Sequence, residues 1–537
     1  MRDKYAGIDL SIWNPWWYDS EWYKKDPHLT AFTRSAVPWR PRLFILLYRR
    51  IFKKNLTGVV TVRGPRRVGK TTMIKMLIYA LTREGVNPRR ILYITCDDVE
   101  LQSALSSGRP GVLRNILIEY YEDAVKNNVA KPFFIFIDES SLYRGWALEI
   151  KNIIDRGLVD ENFLIYTTGS HSMDLAEASR LLKGRQGRAA TAIPSGANQI
   201  LYPMRFVEYV ETLDRDFEKY MYSKYLMRIG TRYHMLKELT TIDSEISSVL
   251  YEIDSKYGGR LHGFLNRYLL TGGFAVSADA YIKDGVIPRS VYDDFYDLMV
   301  RDAEKFGLRE FVLTTLLRWL SEHLSSQIDL HKEMKKTTRT LGFPHTIKIS
   351  ELERYLNYLI GTKSMLLMYE AKIAGHEPQI DFRTTPKVYF RDPFIYEVIY
   401  ARTHEIADPL VYFKDKLLDP EFASRLVECV VASHLSVLPF LMAPSPLFEE
   451  TRNIGYFRLE FGELDFVTWY RSTIRPGELN LVLIEVKYRE HLRAEDLEPA
   501  REVAERYRRR VIILSKNDFR VESEVIIMPV HTFLILI

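Results

Sequence analysis

Between residues 43 and 210 short apolar runs alternate with longer stretches of helical period. The runs are Val59–Val62, Ile91–Thr95, Phe133–Ile137, Phe163–Thr167 and Ile200–Pro203, and amphipathic stretches such as Thr72–Arg83 and Arg109–Ala124 lie between them. Runs that are apolar on both alternating faces predict strands buried on both sides, that is, a parallel sheet covered by helices. Residues 206–310 predict mostly helix, with amphipathic Phe206–Tyr220 and Asp243–Tyr257 and a break at Leu269–Phe274. Short helices follow at Phe311–Ser326, Leu330–Lys336 and Ser350–Ile360, and then a hairpin-like stretch with a strand at Lys387–Phe390. That plan suits a winged helix-turn-helix or a plain helical lid, and periodicity does not choose between them. The α/β pattern returns near the C-terminus, with a helix over Glu421–Leu435 and strands at Tyr456–Glu460, Glu463–Trp469, Leu481–Val486, Val511–Leu514 and Val525–Pro529. The predicted fold class is α/β, divided into an aromatic N-terminal segment (1–40), a parallel-sheet core (41–210), a helical lid (211–310), a winged-helix region (311–405) and a C-terminal α/β domain (406–537).

Composition adds limits. A chain of 537 residues is too long for one core. A net charge of +5 on 75 basic and 70 acidic residues permits nucleic-acid binding without arguing for it. Two distant cysteines, Cys96 and Cys429, have neither a metal-ligand spacing nor a disulfide framework and fit a reducing interior. The polar start of the chain does not read as a signal peptide. The apolar stretch Val430–Phe448 carries Pro439, Pro444 and Pro446, which argue for a buried helix over a membrane span. The expectation is a cytoplasmic protein without a membrane partner. Trp13, Trp16, Trp17 and Trp22 are expected to pack the first segment onto the core.

The strongest chemistry follows the first apolar run. Gly64-Pro65-Arg66-Arg67-Val68-Gly69-Lys70-Thr71-Thr72 is a phosphate-binding loop between a strand and a helix. Gly64 and Gly69 allow backbone N–H groups to close on phosphate oxygens, and the helix start adds its positive dipole end. Lys70 is placed to reach the β- and γ-phosphates, and the Thr71 hydroxyl to ligate Mg²⁺. The third strand ends in Asp138 and Glu139: Asp138 is the candidate second Mg²⁺ contact, and Glu139 the base that orients the attacking water. ATP with Mg²⁺ is thus the expected cofactor. On the fourth strand Thr168 or Ser170 would sense the γ-phosphate, unless they are ordinary strand-end hydroxyls. Within Lys183–Arg188, Arg185 and Arg188 are candidate arginine fingers, in cis or toward a neighbouring subunit of a homo-oligomer, against the alternative of a solvated loop.

A second cluster lies near the C-terminus. Gly462-Glu463-Leu464-Asp465 is followed, 20 residues after Asp465, by Glu485-Val486-Lys487. Paired strands would converge Asp465, Glu485 and Lys487, with Glu428 added from the preceding helix. Such a set would hold Mg²⁺ through oxygen ligands and act on a phosphodiester, with Lys487 stabilising developing charge. A salt-bridged strand pair is the plainer alternative.

Taken in order, the loop Gly64–Thr72, Ile137-Asp138-Glu139, Thr168-Gly169-Ser170, Tyr202–Tyr209, Gly272-Gly273-Phe274, Lys387–Pro393, Glu428, Glu463–Val467 and Glu485-Val486-Lys487 resemble archaeal and bacterial AAA-like, STAND-related P-loop ATPases that carry a winged helix and a C-terminal DUF4143 domain similar to PD-(D/E)XK nucleases. The resemblance implies a restriction-endonuclease-like C-terminal domain, with Glu428, Asp465, Glu485 and Lys487 at nuclease-type positions. Two sites suited to phosphate chemistry in one chain lead to the expectation of an ATPase switch or motor that binds or cuts DNA. The alternative is a nucleotide-gated docking protein whose nuclease-like domain is catalytically silent and engages nucleic acid, a ribosome or a protein partner.

Overall fold

The computed structural model describes residues 1–106, 111–143, 145–159, 161–169, 181–182, 186–193, 195–225, 229–241, 246–329, 348–374, 377–442, 450–459, 462–471 and 479–537. The chain forms two compact units, Met1–Tyr202 and Pro203–Ile537. The helix expected over Leu330–Lys336 lies outside the described residues.

In the first unit β1 (Gly58–Arg63), β2 (Ile91–Thr95), β3 (Phe133–Asp138), β4 (Phe163–Gly169) and β5 (Asn198–Ile200) form a parallel sheet in the order β2-β3-β4-β1-β5. Every residue of β3 and β4 is buried, as expected of strands covered on both faces. Helices α1 (Lys70–Arg83) and α2 (Val112–Lys126) are among those that connect them. Insertion of β4 between β1 and β3 brings the carboxyl ends of all three strands together, with Val62 beside Thr168 and Ile137 beside Thr167. The first segment closes the β2 edge of the sheet. The Asn14 amide accepts from Tyr93 N at 2.7 Å and donates to Tyr93 O at 2.9 Å, as a neighbouring strand would. The indole N–H groups of Trp16 and Trp17 both donate to Ile91 O. The tryptophans therefore pack the segment onto the core as expected, and leave no unpaired β2 backbone at these positions to recruit another strand.

The second unit contains α3 (Ile246–Thr271), β6 (Met365–Met368), β7 (Glu370–Ala374), β8 (Glu377–Asp381), β9 (Lys387–Phe390), α4 (Pro393–Thr403), α5 (Pro420–Met442), β10 (Ile454–Leu459), β11 (Gly462–Arg471), β12 (Leu479–Val486), β13 (Val511–Ser515), β14 (Arg520–Val521) and β15 (Val525–Pro529). The sheet order is β8-β7-β10-β11-β12-β13-β15-β14, while β6 and β9 pair separately as an antiparallel ribbon. The β7–β8 hairpin, expected to belong with the winged-helix region, extends the C-terminal sheet through β10. Helix α5 runs beyond the expected end at Leu435 and through Pro439. By length and composition Pro420–Leu441 is apolar enough to cross a membrane, and 72% of its most apolar window is buried inside the protein.

The Gly272-Gly273 and Asp392-Pro393 motifs meet within this unit. Asp392 accepts from Gly273 N at 2.8 Å and from Phe394 N at 2.9 Å, capping α4. A Cβ at Gly272 would lie 1.8 Å from Asp392 Oδ1, and the residue sits at φ +59°, so only glycine fits. The pair ties the end of α3 to the start of α4.

Candidate nucleotide site and a second carboxylate cluster

Residues Gly64–Gly69 link β1 to α1, and Lys70, Thr71 and Thr72 open that helix. Gly69 has φ +100°, a left-handed conformation that costs glycine little. Gly64 has a packing reason beyond phosphate access, because a Cβ there would lie 2.2 Å from Leu201 O. Buried Val68 anchors the loop from beneath, and Arg67 takes φ +62°. The Lys70 ammonium donates to Gly64 O and Pro65 O, both at 2.9 Å, so it is held inside the loop it would share with a phosphate.

Asp138 is 2% exposed and joins the expected residues into one network. Thr71 donates to its Oδ2 at 2.7 Å and the Tyr93 hydroxyl to the same oxygen at 3.1 Å. Thr168 donates to its Oδ1, and the same hydroxyl accepts from Glu139 N at 3.1 Å. Glu139 sits at φ +49°, a left-handed conformation uncommon for a side chain of this size, and its carboxylate pairs with Arg66 at 2.8 Å. Arg66 of the loop and Glu139 of the acidic strand end are thereby coupled. No local sequence pattern marks Tyr93, because its partner Asp138 lies on another strand. Its ring also lies beneath buried Lys75, whose ammonium is 4.0 Å from the ring centroid and 3.7 Å from Asp26. Burial lowers the Lys75 pKa.

The residues present suit a magnesium-bound triphosphate. A serine/threonine hydroxyl and a buried carboxylate are already oriented together, a lysine is confined to the loop, and a helix start faces it. Thr71 and Asp138 would hold the metal. Ser170 and Arg185 lie outside the described residues. Arg188 is exposed, and its neighbours place it at the far end of β1: Val59 N donates to Gln186 O, and Ala189 N to Thr57 O. Six strand residues, roughly 20 Å, separate Gly58 from the loop. Arg188 therefore cannot serve as a finger for the nucleotide of its own chain.

In the second unit Glu428, Asp465, Glu485 and Lys487 do converge. Phe466 faces Ile484 across the β11–β12 ladder, which sets Asp465 opposite Glu485. Asp465 N donates to Glu485 Oε2 at 3.2 Å, Val486 N donates to Asp465 Oδ2 at 2.9 Å, and Lys487 pairs with Glu485 at 2.6 Å. Lys387 of β9 was not among the expected site residues, yet it stands in the middle. Its ammonium is 2.7 Å from Glu463, 3.3 Å from Glu428 and 3.3 Å from Asp465. Two residues along the same strand, Tyr389 donates to Glu428 Oε1 at 2.7 Å. Burial and then Asp465 push the Glu428 carboxyl up to about 7, and Glu485 up to about 8. Burial acts against the Lys387 ammonium, but the three carboxylates outweigh it and raise its pKa. At the expected metal site of Glu428, Asp465 and Glu485 a lysine stands against two of the acids: the Lys387 ammonium contacts both Glu428 and Asp465.

Residues 57–210 match the family of AAA domains. No curated protein gives a significant sequence match. Similar solved structures include a Walker-type ATPase of Pyrococcus abyssi, at 14% identity and TM-score 0.36 over 65% of this chain and 93% of that one. The Aeropyrum pernix ORC1 protein, solved in complex with DNA, is similar at 15% identity and TM-score 0.27 over 72% and 94%. Cdc6p of Pyrobaculum aerophilum follows at 16% identity and TM-score 0.26 over 70% and 98%. The family match, together with the loop and the Asp138 network it spans, makes residues 57–210 an AAA-like P-loop ATPase domain.

Proposed function

We propose that the chain binds ATP with Mg²⁺ at Gly64–Thr72 and hydrolyses it. The observation that carries this reading is the Thr71–Asp138 hydrogen bond, which joins the phosphate loop to the acidic strand end. Mg²⁺, held by Thr71 and Asp138, would supply positive charge that offsets the phosphates. Lys70 neutralises the phosphates, and the loop amides fix them. Glu139 orients a water and accepts its proton, after its carboxylate exchanges Arg66 for that water. Thr168, bonded to both acids' ends of β3, reports phosphate occupancy to them. A finger arginine would come from a neighbouring subunit. The test is turnover and binding measured together: Lys70→Ala should lose both, whereas Glu139→Gln should keep nucleotide binding and lose turnover by about 10²-fold or more. Full turnover by Glu139→Gln refutes the assignment.

For the second unit we infer a winged-helix region and a nuclease-like domain that act on or bind DNA in response to ATP. The order of motifs supports it, as does the convergence of Glu428, Asp465, Glu485 and Lys487. A second reading, a catalytically silent docking platform, is favoured by Lys387 among the carboxylates. Plasmid nicking in Mg²⁺, compared between wild type and Asp465→Ala, separates them: nicking lost in the variant supports the nuclease, and none in either supports the platform.

A further inference from the structure

We propose that Lys387 is the resident cation of the C-terminal carboxylate cluster, occupying the place a divalent metal would take and excluding it. The inference deepens the silent-platform reading and concerns what fills the site, whatever the domain docks.

Three carboxylates from two elements, Glu428 on α5 and Glu463 and Asp465 on β11, direct an oxygen at one ammonium. An ammonium has three N–H donors, and here it has three charged acceptors. Magnesium needs oxygen ligands at about 2.0–2.1 Å, so it cannot share the centre of this group with a lysine nitrogen. The lysine is also held from behind. Its residue is 6% exposed, its backbone is paired in register with Met368, and its neighbour Tyr389 fixes Glu428. Withdrawal would strand three carboxylates with one cation, Lys487, already committed to Glu485. Lys387 is a second lysine at this cluster besides Lys487, brought by the β6–β9 ribbon.

The test uses the full-length, nucleotide-free chain and follows free Mn²⁺ by electron paramagnetic resonance. The wild type should show no Mn²⁺ site that Asp465→Asn removes. Lys387→Ala should gain a site with at least tenfold tighter binding than the wild type, and Lys387→Ala combined with Asp465→Asn should lose it. An Asp465-dependent Mn²⁺ site in the wild type overturns the proposal, as does a folded Lys387→Ala chain that gains none. Should Lys387→Ala be unfolded by circular dichroism, the isosteric Lys387→Met is titrated in its place. If that too is unfolded, recovery of its fold by millimolar Mn²⁺ supports the proposal and failure to recover contradicts it. Nicking is scored separately. A nuclease active in the wild type would contradict the silent-platform reading, and Mn²⁺ binding alone decides the role of Lys387.

Discussion

Thr168 shows how much one hydroxyl organises. It donates to Asp138 and accepts from Glu139 N inside a fully buried site. Thr168→Val keeps the volume and removes both bonds, so it should cost about 1.5–3 kcal/mol in chemical denaturation and slow ATP turnover with less effect on ATP affinity. The carboxylates of the second unit set a pH dependence. Glu428 and Glu485 titrate near 7 and 8 in the folded protein, above the ordinary value near 4.5. Between those limits the folded chain binds more protons than the unfolded one, so stability is greatest on the acid side and falls as pH rises through about 8. The groups facing Glu485 are Asp465 and Lys487. Glu485→Gln should flatten the decline of the denaturation midpoint between pH 6 and 9, and an unchanged slope would contradict the assignment. At this scale the sequence was legible wherever a residue's partners lie close in the motif, as for Lys70 and its loop. It was opaque for Lys387, whose partners lie 41 to 78 residues away. The available signal was a lysine at the start of an otherwise apolar strand, Lys387-Val388-Tyr389-Phe390, and nothing in that pattern says which carboxylates it meets.

Elements were legible for a different reason. Strands β2 to β4, β11 to β13 and β15 have apolar patterns that period alone reveals. Pairing partners have no such local signal. The β7–β8 hairpin looks like a wing in sequence, and its association with β10 depends on contacts that no short segment encodes. Likewise, Arg188 in a basic, glycine-flanked stretch suggests a finger, but only the sheet topology reveals that it stands at the wrong end of β1. Helix α5 passes Pro439 because burial of its apolar surface outweighs one missing hydrogen bond. The edge of the first sheet offers the test at this scale. Asn14 is completely buried and supplies both partners of the Tyr93 backbone. Asn14→Ala leaves a buried donor and acceptor unmet and should destabilise the full chain by about 2–4 kcal/mol in urea denaturation. A change below about 0.5 kcal/mol would show that the segment does not act as an edge strand.

Across the whole molecule two polar networks each centre on a buried lysine, and they differ in what surrounds it. The N-terminal network is arranged around a lysine that can exchange loop carbonyls for phosphate oxygens. The C-terminal network is arranged around a lysine already matched to its carboxylates. In the first the lysine meets two neutral carbonyls, and in the second three carboxylates. The ATP chemistry proposed for this protein resides at Gly64–Thr72 with Asp138 and Glu139. Titration calorimetry of ATP into the intact chain at millimolar Mg²⁺ tests it most directly. Saturable binding of about one ATP per chain is expected, lost in Lys70→Ala and retained in Lys387→Ala. No heat of binding in the folded wild type, or undiminished binding in Lys70→Ala, would contradict it.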